Sequence, residues 1–320
     1  MVVEKCQYHQ KTKKIYFFLI IDNMYFYQLY GLSVQSDLSL SLPELPILEK
    51  SVDLKILSAK IDIPTDIIFE QSFDNIKIVK TLDSTYLFWK NTILCKIIQG
   101  KEIVINDLAR MEKNFLKSLI LGPVFAILLH QRGCLVLHAN AVNMNGNAII
   151  LLGSMGKGKS TTSLALHKSG YKIMSDDIVS IQFSNSVPMV FPGSPTMKLS
   201  SEVVDNLLTN HKSLPKVYSN PSKRVYNFSE SFLENPIPLK VIYLIEDGTE
   251  TSIGEIKPKE EIISMIKSTY SLGLFDKNEL AENLKQCSEI LNEVPLKLLN
   301  IKRSFRHINE VVKVIEFDLE

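Results

Sequence analysis

The stretch that decides the fold is Ala148-Ile149-Ile150-Leu151-Leu152-Gly153-Ser154-Met155-Gly156-Lys157-Gly158-Lys159-Ser160-Thr161. Its first five residues are an unbroken apolar run, read as a buried strand, and Gly153 to Ser160 fits the G-x-x-x-x-G-K-[ST] template of a phosphate-binding loop. Lys159 to Ser169 then reads as a helix stopped by Gly170. A strand, a glycine-rich turn and a helix in that order aim backbone N–H groups and the positive end of the helix at one point, where an anionic phosphate would sit. Gly153 through Thr161 is therefore the expected nucleotide cradle. Within it, Lys159 is expected to reach the β- and γ-phosphates of ATP and Ser160 to ligate Mg²⁺.

Downstream of the loop, Asp176-Asp177 begins 17 residues after Lys159. The pair follows Tyr171-Lys172-Ile173-Met174, a run expected to return beside the loop strand. In extended backbone the two carboxylates point to opposite faces, so one can take a proton from a substrate hydroxyl while the other faces the metal. Asp177 is assigned to the metal with Ser160, and the choice of proton acceptor within the pair stays open. Upstream, Leu135 to Val142 reads as one strand, with Leu135, Leu137, Ala139 and Ala141 on an apolar face and His138 and Asn140 on the other. A histidine beside a phosphate site can orient the γ-phosphate. Lys198, Lys223 and Arg224, in the later β-rich region, are candidates to bring a cation to a transferring phosphoryl group.

Around this core the chain has 320 residues, with 36 Lys plus Arg against 35 Asp plus Glu, so no global field recruits nucleic acid. No membrane partner is expected either. Ile15 to Ile21 is too short to span a bilayer and reads as a buried strand; Phe115 to Leu129 is interrupted by Lys117 and Gly122-Pro123 and reads as a buried, kinked helix. Cys6, Cys95, Cys134 and Cys287 are scattered, with no metal-ligand spacing, which fits a reduced, cytoplasmic setting. Residues 1–105 alternate short β-rich runs with turns and read as a small accessory domain. In it, Leu38 to Leu42 looks like an extended edge segment able to pair with a peptide backbone. Asp107 is expected to cap a joining helix that reaches His130, and residues 106–320 form the catalytic domain with a helical C-terminal part.

The order His138, phosphate loop, Asp176-Asp177 resembles the catalytic core of bacterial HPr kinase/phosphorylase, whose fold is related to the ATP-dependent phosphoenolpyruvate carboxykinases. The resemblance implies an α/β fold with a P-loop core of that type, with His138, Lys159, Ser160, Asp176 and Asp177 as the active-site set and ATP and Mg²⁺ as cofactors. Tyr30-Gly31-Leu32, Ser36-Asp37, Leu42-Pro43-Glu44-Leu45, Pro192-Gly193-Ser194-Pro195, Lys223-Arg224 and Pro238 to Tyr243 are similar to segments of HPr-kinase-like proteins that accompany peptide-modification genes, lasso-peptide kinases among them. That likeness implies phosphate transfer from ATP to a serine hydroxyl, in the lasso case on the C-terminal residue of a precursor peptide, with a serine-bearing peptide or protein as partner and homo-oligomerisation left open. The glutamate-arginine-glycine signature that follows the Asp pair in HPr kinase/phosphorylases has no counterpart; the sole Arg-Gly is Arg132-Gly133. Phosphorylation of HPr and the phosphorylase reaction are therefore not implied. Two rival readings use the same motifs: a kinase of a free small molecule, and a non-catalytic ATP-binding switch.

Overall fold

The computed structural model describes residues 24–45, 51–107, 111–208, 214–217, 220–232, 235–270 and 272–320. The strand expected at Ile15 to Ile21 lies outside them. The chain is a mixed α/β protein with several sheets. Among the described residues the first has eight strands: β1 (Tyr25–Leu29), β2 (Leu32–Ser36), β3 (Leu54–Ala59), β4 (Phe69–Phe73), β5 (Ile76–Lys80), β6 (Ser84–Trp89), β7 (Thr92–Ile98) and β8 (Glu102–Asn106), in spatial order β1-β2-β3-β8-β7-β6-β5-β4. Leu38 to Leu42 is not an edge strand. It bends, with Ser41 at φ +56°, and sinks Leu40 and Leu42 into the core, while the Leu40 N–H donates to the Tyr27 hydroxyl at 2.9 Å. The Leu38 and Leu40 N–H groups are thus already bonded, and the segment is not the extended edge expected of it.

The joining helix starts later than Asp107. Its N-cap is Glu112, whose carboxylate accepts from the Phe115 N–H at 2.8 Å. Helix α1 (Lys113–Leu119) runs into a π-turn at Ile120–Val124 and continues as α2 (Phe125–Gln131). The break falls where Pro123 lacks an N–H and Gly122 leaves helical geometry at φ −104°, ψ −112°. Among the described residues, 113–131 is the one helix long and apolar enough to cross a membrane, but Phe125, Leu128 and Leu129 are packed into the core of the first sheet. That core also takes in Val136, Ile178 and Leu274 from far along the chain.

The second sheet carries β9 (Leu135–Leu137), β10 (Asn140–Met144), β11 (Asn147–Leu152), β12 (Lys172–Ser175), β13 (Val179–Ser184), β14 (Val187–Phe191), β18 (Ile237–Asp247), β19 (Ser252–Glu255) and β20 (Leu296–Ile301). Three further strands, β15 (Thr196–Ser200), β16 (Lys216–Val217) and β17 (Asn220–Asn227), form a small separate sheet. The helices are α3 (Lys159–Lys168), α4 (Ser201–Leu207), α5 (Pro258–Ser268), α6 (Lys277–Glu293) and α7 (Ile308–Leu319). Strand β11 is apolar on both faces because both are covered. Ala148, Ile150 and Leu152 pack with Met265, Cys287 and Ile290 of α5 and α6, while Ile149 and Leu151 pack with Ala165, Leu166, Val311 and Ile315 of α3 and α7.

Two expectations about strand order are corrected. Leu135 to Val142 is not one strand: β9 pairs with β13 and β10 with β11 and β12, and the chain changes partners at His138-Ala139. Strand β12 does not return beside the loop strand either, because β10 lies between β12 and β11. The hairpin link between β10 and β11, a two-residue turn at Asn145-Gly146 with both φ values positive, makes that adjacency the local choice and displaces β12 outward.

Candidate active site

The loop after β11 turns the chain from strand into helix within six residues, Gly153 to Gly158. Gly153, Gly156 and Gly158 all have positive φ, and Gly158 is the left-handed residue that opens α3. A Cβ on Gly153 would lie 3.1 Å from the Ile245 carbonyl of β18, so the close passage of loop and neighbouring strand needs a glycine there. Lys159 is 7% exposed and its ammonium donates back to the Gly153 carbonyl at 2.6 Å. Burial lowers its pKa, against the opposing pull of Asp177 and Asp176, so the ammonium is a charge in want of an anion. Ser154, Met155 and Gly156 at the loop crest are exposed, Thr161 is half-buried, and Lys157 turns outward to Glu246 (2.8 Å) and Asp247 (2.9 Å) at the end of β18.

The carboxylate pair sits in a tight turn directly after β12. Asp177 is in the left-handed region at φ +67°, and the Ile178 N–H donates to the Asp176 carbonyl at 2.8 Å. The two side chains therefore do not simply alternate as they would in extended backbone. Asp176 Oδ1 accepts from the Ser160 hydroxyl (3.1 Å) and Asn140 Nδ2 (2.8 Å), and its Oδ2 from the Lys198 N–H (2.9 Å). Asp177 Oδ2 pairs with Lys198 Nζ at 3.0 Å. Burial, reinforced by the neighbouring Asp177 charge, pushes the Asp176 carboxyl up to about 7. Burial also acts to raise Asp177, but the Lys198 ammonium, with His138 and Lys223, outweighs it and holds that carboxyl below its ordinary range. The structure thus brings Ser160 to Asp176, where the sequence reading put it with Asp177.

His138 occupies the two-residue gap between β9 and β10, its N–H donating to the Ser268 carbonyl at 2.7 Å. Its Nδ1 lies 3.2 Å from the Asp177 carbonyl, which can only accept, so the neutral ring carries its proton there and leaves Nε2 a lone pair. Burial first, then the Lys159 charge, lowers the histidine's pKa. Across the antiparallel pair β15/β17, Lys198 faces Val225 and Ser200 faces Lys223, so Lys198 and Lys223 share one side of that sheet. Arg224 lies opposite Leu199 on the other side and spends its guanidinium on the Pro221 (2.8 Å) and Lys223 (3.2 Å) carbonyls. Lys223 is near enough for its charge to be felt at Lys159 and Asp177. Of the three expected cations, two converge on the site and Arg224 does not.

Sequence reasoning named Asn140 but gave it no role. It is fully buried, and its amide joins β10, the loop helix and the Asp turn by donating to both Ser163 Oγ (3.1 Å) and Asp176. Arg303, which no motif marked, pairs with Asp247 and donates to the Gly156 carbonyl at 3.0 Å, tying the β20–α7 connection to the loop crest. Ser160 and Asp176 supply hard oxygen donors, and a buried carboxylate whose proton is retained to about pH 7 is one that a bound cation would stabilise, so the residues present fit Mg²⁺. Among the described residues no cluster of three or more His, Cys, Asp or Glu forms a protein-only metal cage.

No family model and no curated protein matches the sequence. Among solved structures, the HPr(Ser) kinase/phosphatase from Coxiella burnetii is similar over 57% of this chain and 97% of its own, at 15% identity and a TM-score of 0.29.

Proposed function

We propose that the chain is a Mg-ATP-dependent kinase that transfers the γ-phosphoryl group to a serine hydroxyl of a peptide, the C-terminal serine of a lasso-type precursor being the leading acceptor. The observation that carries the phosphotransfer reading is the convergence of Lys159 and Ser160 of the loop with Asp176, Asp177, His138, Lys198 and Lys223. The serine acceptor rests on the likeness of sequence segments described above. Bound Mg²⁺ would neutralise phosphate charge, held by Ser160 and Asp176. Lys159 supplies a fixed positive charge to the transferring group, and Lys198 and Lys223 add two more on the facing sheet. Asp177, already ionised beside Lys198, accepts the proton of the attacking hydroxyl as the new O–P bond forms, the bond from the γ-phosphorus to the bridging oxygen breaks, and ADP leaves. His138 fixes the Asp177 carbonyl and thereby the carboxylate's placement.

The test is transfer from labelled ATP, with and without Mg²⁺, to a panel of serine-ended peptides and free hydroxyl metabolites. Wild-type protein should label peptide only with Mg²⁺, and Lys159→Ala should reduce labelling by at least about a thousandfold. Asp176→Asn should weaken Mg²⁺ dependence, whereas Asp177→Asn should still bind Mg-ATP but lose transfer. Labelling of metabolites alone would sink the peptide reading, and wild-type rates in Lys159→Ala would sink the phosphotransfer reading with it.

A further inference from the structure

The crest of the phosphate loop is held by an ion cluster that the transfer chemistry does not use. Strand β18 ends in Glu246-Asp247, and β20 runs parallel to it with Ile301 beside Asp247. The chain leaving β18 turns tightly against β20: the Gly248 N–H donates to the Ile301 carbonyl at 3.0 Å, and a Cβ on Gly248 would stand 2.8 Å from the Asn300 Cβ. Two residues beyond Ile301 comes Arg303, whose Nε donates to Asp247 Oδ1 while its Nη2 donates to the Gly156 carbonyl at 3.0 Å. The other oxygen of Asp247 takes the Lys157 ammonium at 2.9 Å, and Glu246 takes it at 2.8 Å. One carboxylate thus fixes both the loop's own lysine and the guanidinium that binds the loop's backbone.

The bond to Gly156 also sets a direction. A peptide unit is planar and trans, so the Gly156 carbonyl and the Lys157 N–H point opposite ways. With the carbonyl turned out to Arg303, the N–H is turned in, where it donates to the Ser154 carbonyl of the same loop at 3.2 Å. That is a long bond, which a charged phosphate oxygen would better. Gly156 stands at φ +81°, and beyond its chain neighbours no atom lies within 4 Å of where its Cβ would be, so packing does not hold the crest. The side chains of Arg303 and Asp247 are 57% and 46% exposed, and ion pairs at such exposure contribute little to stability. We infer that Arg303, oriented by Asp247, is a positioning residue for the phosphate loop: its guanidinium holds the Gly156–Lys157 peptide with the N–H directed at the anion. The inference rests on the nucleotide-cradle reading above and adds a residue that acts on the triphosphate through the loop, without touching the nucleotide.

The test is binding of two probes to full-length protein in Mg²⁺, ATP and inorganic tripolyphosphate. Arg303→Met and Asp247→Ala should each raise Kd about tenfold, by the same factor for both probes, because the misdirected N–H meets phosphate alone. The double variant should bind no worse than the weaker single one. If these charges acted only through space, Asp247→Ala would remove a negative charge beside the loop and tighten binding of both anions, a result that overturns the inference. Wild-type Kd in Arg303→Met overturns it too, as does a loss confined to ATP, which would make Arg303 a contact of the nucleoside. Additive losses in the double variant would detach Asp247 from Arg303 and refute the pairing. In the ligand-free chain, Arg303→Met should speed amide hydrogen exchange at Lys157 about fivefold, and unchanged exchange again refutes the positioning role. Wild-type protein that binds neither probe defeats the cradle reading, and the Lys157 exchange then decides by itself whether Arg303 holds the loop.

Discussion

Replacing Asn140 by alanine tests whether the buried amide is what couples strand, loop helix and carboxylate. Its bond to ionised Asp176 is charge-assisted and contributes about 1.5–3 kcal/mol, and its bond to the Ser163 hydroxyl about 0.5–1.5 kcal/mol. Asn140 Oδ1, however, is buried without a partner, and deleting it returns about 1–3 kcal/mol, leaving a net loss of about 1–2 kcal/mol. For 320 residues the unfolding entropy of about 2.1 cal/mol/K per residue makes 1 kcal/mol worth about 1.5 °C, so calorimetry at pH 8 should find Tm lower by about 1.5–3 °C. At pH 5 Asp176 is protonated, its bond to Asn140 is that of a neutral pair, and the difference should shrink to about 1 °C or less. An equal loss of Tm at both pH values would refute the claim that the Asn140 amide serves the charged form of Asp176.

The same carboxyl sets a pH dependence for the whole ligand-free chain. Asp176 holds its proton to about pH 7 when folded but only to the ordinary carboxyl value of 3.8 when unfolded, so its contribution is full below that value and is lost as pH rises through 7. Asp177, shifted the other way, contributes above its ordinary range and is lost toward acid. Tm should therefore decline between pH 5 and 8, Asp176→Asn should flatten the decline, and Mg²⁺ alone should raise Tm more at pH 8 than at pH 5; a flat wild-type profile counts against it. Lys198→Met removes the ammonium that keeps Asp177 ionised, so the acid limb of the rate profile should move to higher pH. An unmoved limb would detach Lys198 from Asp177.

What could be read in advance was what eight or ten consecutive residues determine by themselves. The loop from Gly153 to Ser160 combines positive-φ glycines with a helix start, and these are local requirements. Helix α6, from Lys277 to Glu293, is likewise signalled by its own capping box at Asp276 and Glu279. Asp176 and Asp177 were legible as residues but not as a geometry, because their turn is closed by Ser175 and Ile178 and their carboxylates are bound by Asn140, Ser160 and Lys198 from three other elements. Arg224 was misplaced because adjacent strand residues alternate sides, and the register that selects Lys223 comes from β15. Leu38 to Leu42 alternates like an edge strand, yet the alternation serves burial of Leu40 and Leu42 in a bent segment. His138 looked like one residue of a continuous strand, whereas it marks the point where the chain exchanges one set of sheet partners for another.

The first core also bears on how the chain is made. Its sheet is synthesised by residue 106, but Ile178 and Leu274 are among the side chains that fill it. At ribosomal rates of roughly 5–20 residues per second, the interval before Leu274 emerges is on the order of 10–30 s. Throughout that time the apolar cluster that takes in helix 113–131 lacks the side chain of Leu274. A sheet that folds early and is sealed late is exposed to aggregation during translation, and destabilising substitutions near Leu274 would show first as lost soluble yield rather than as a changed rate.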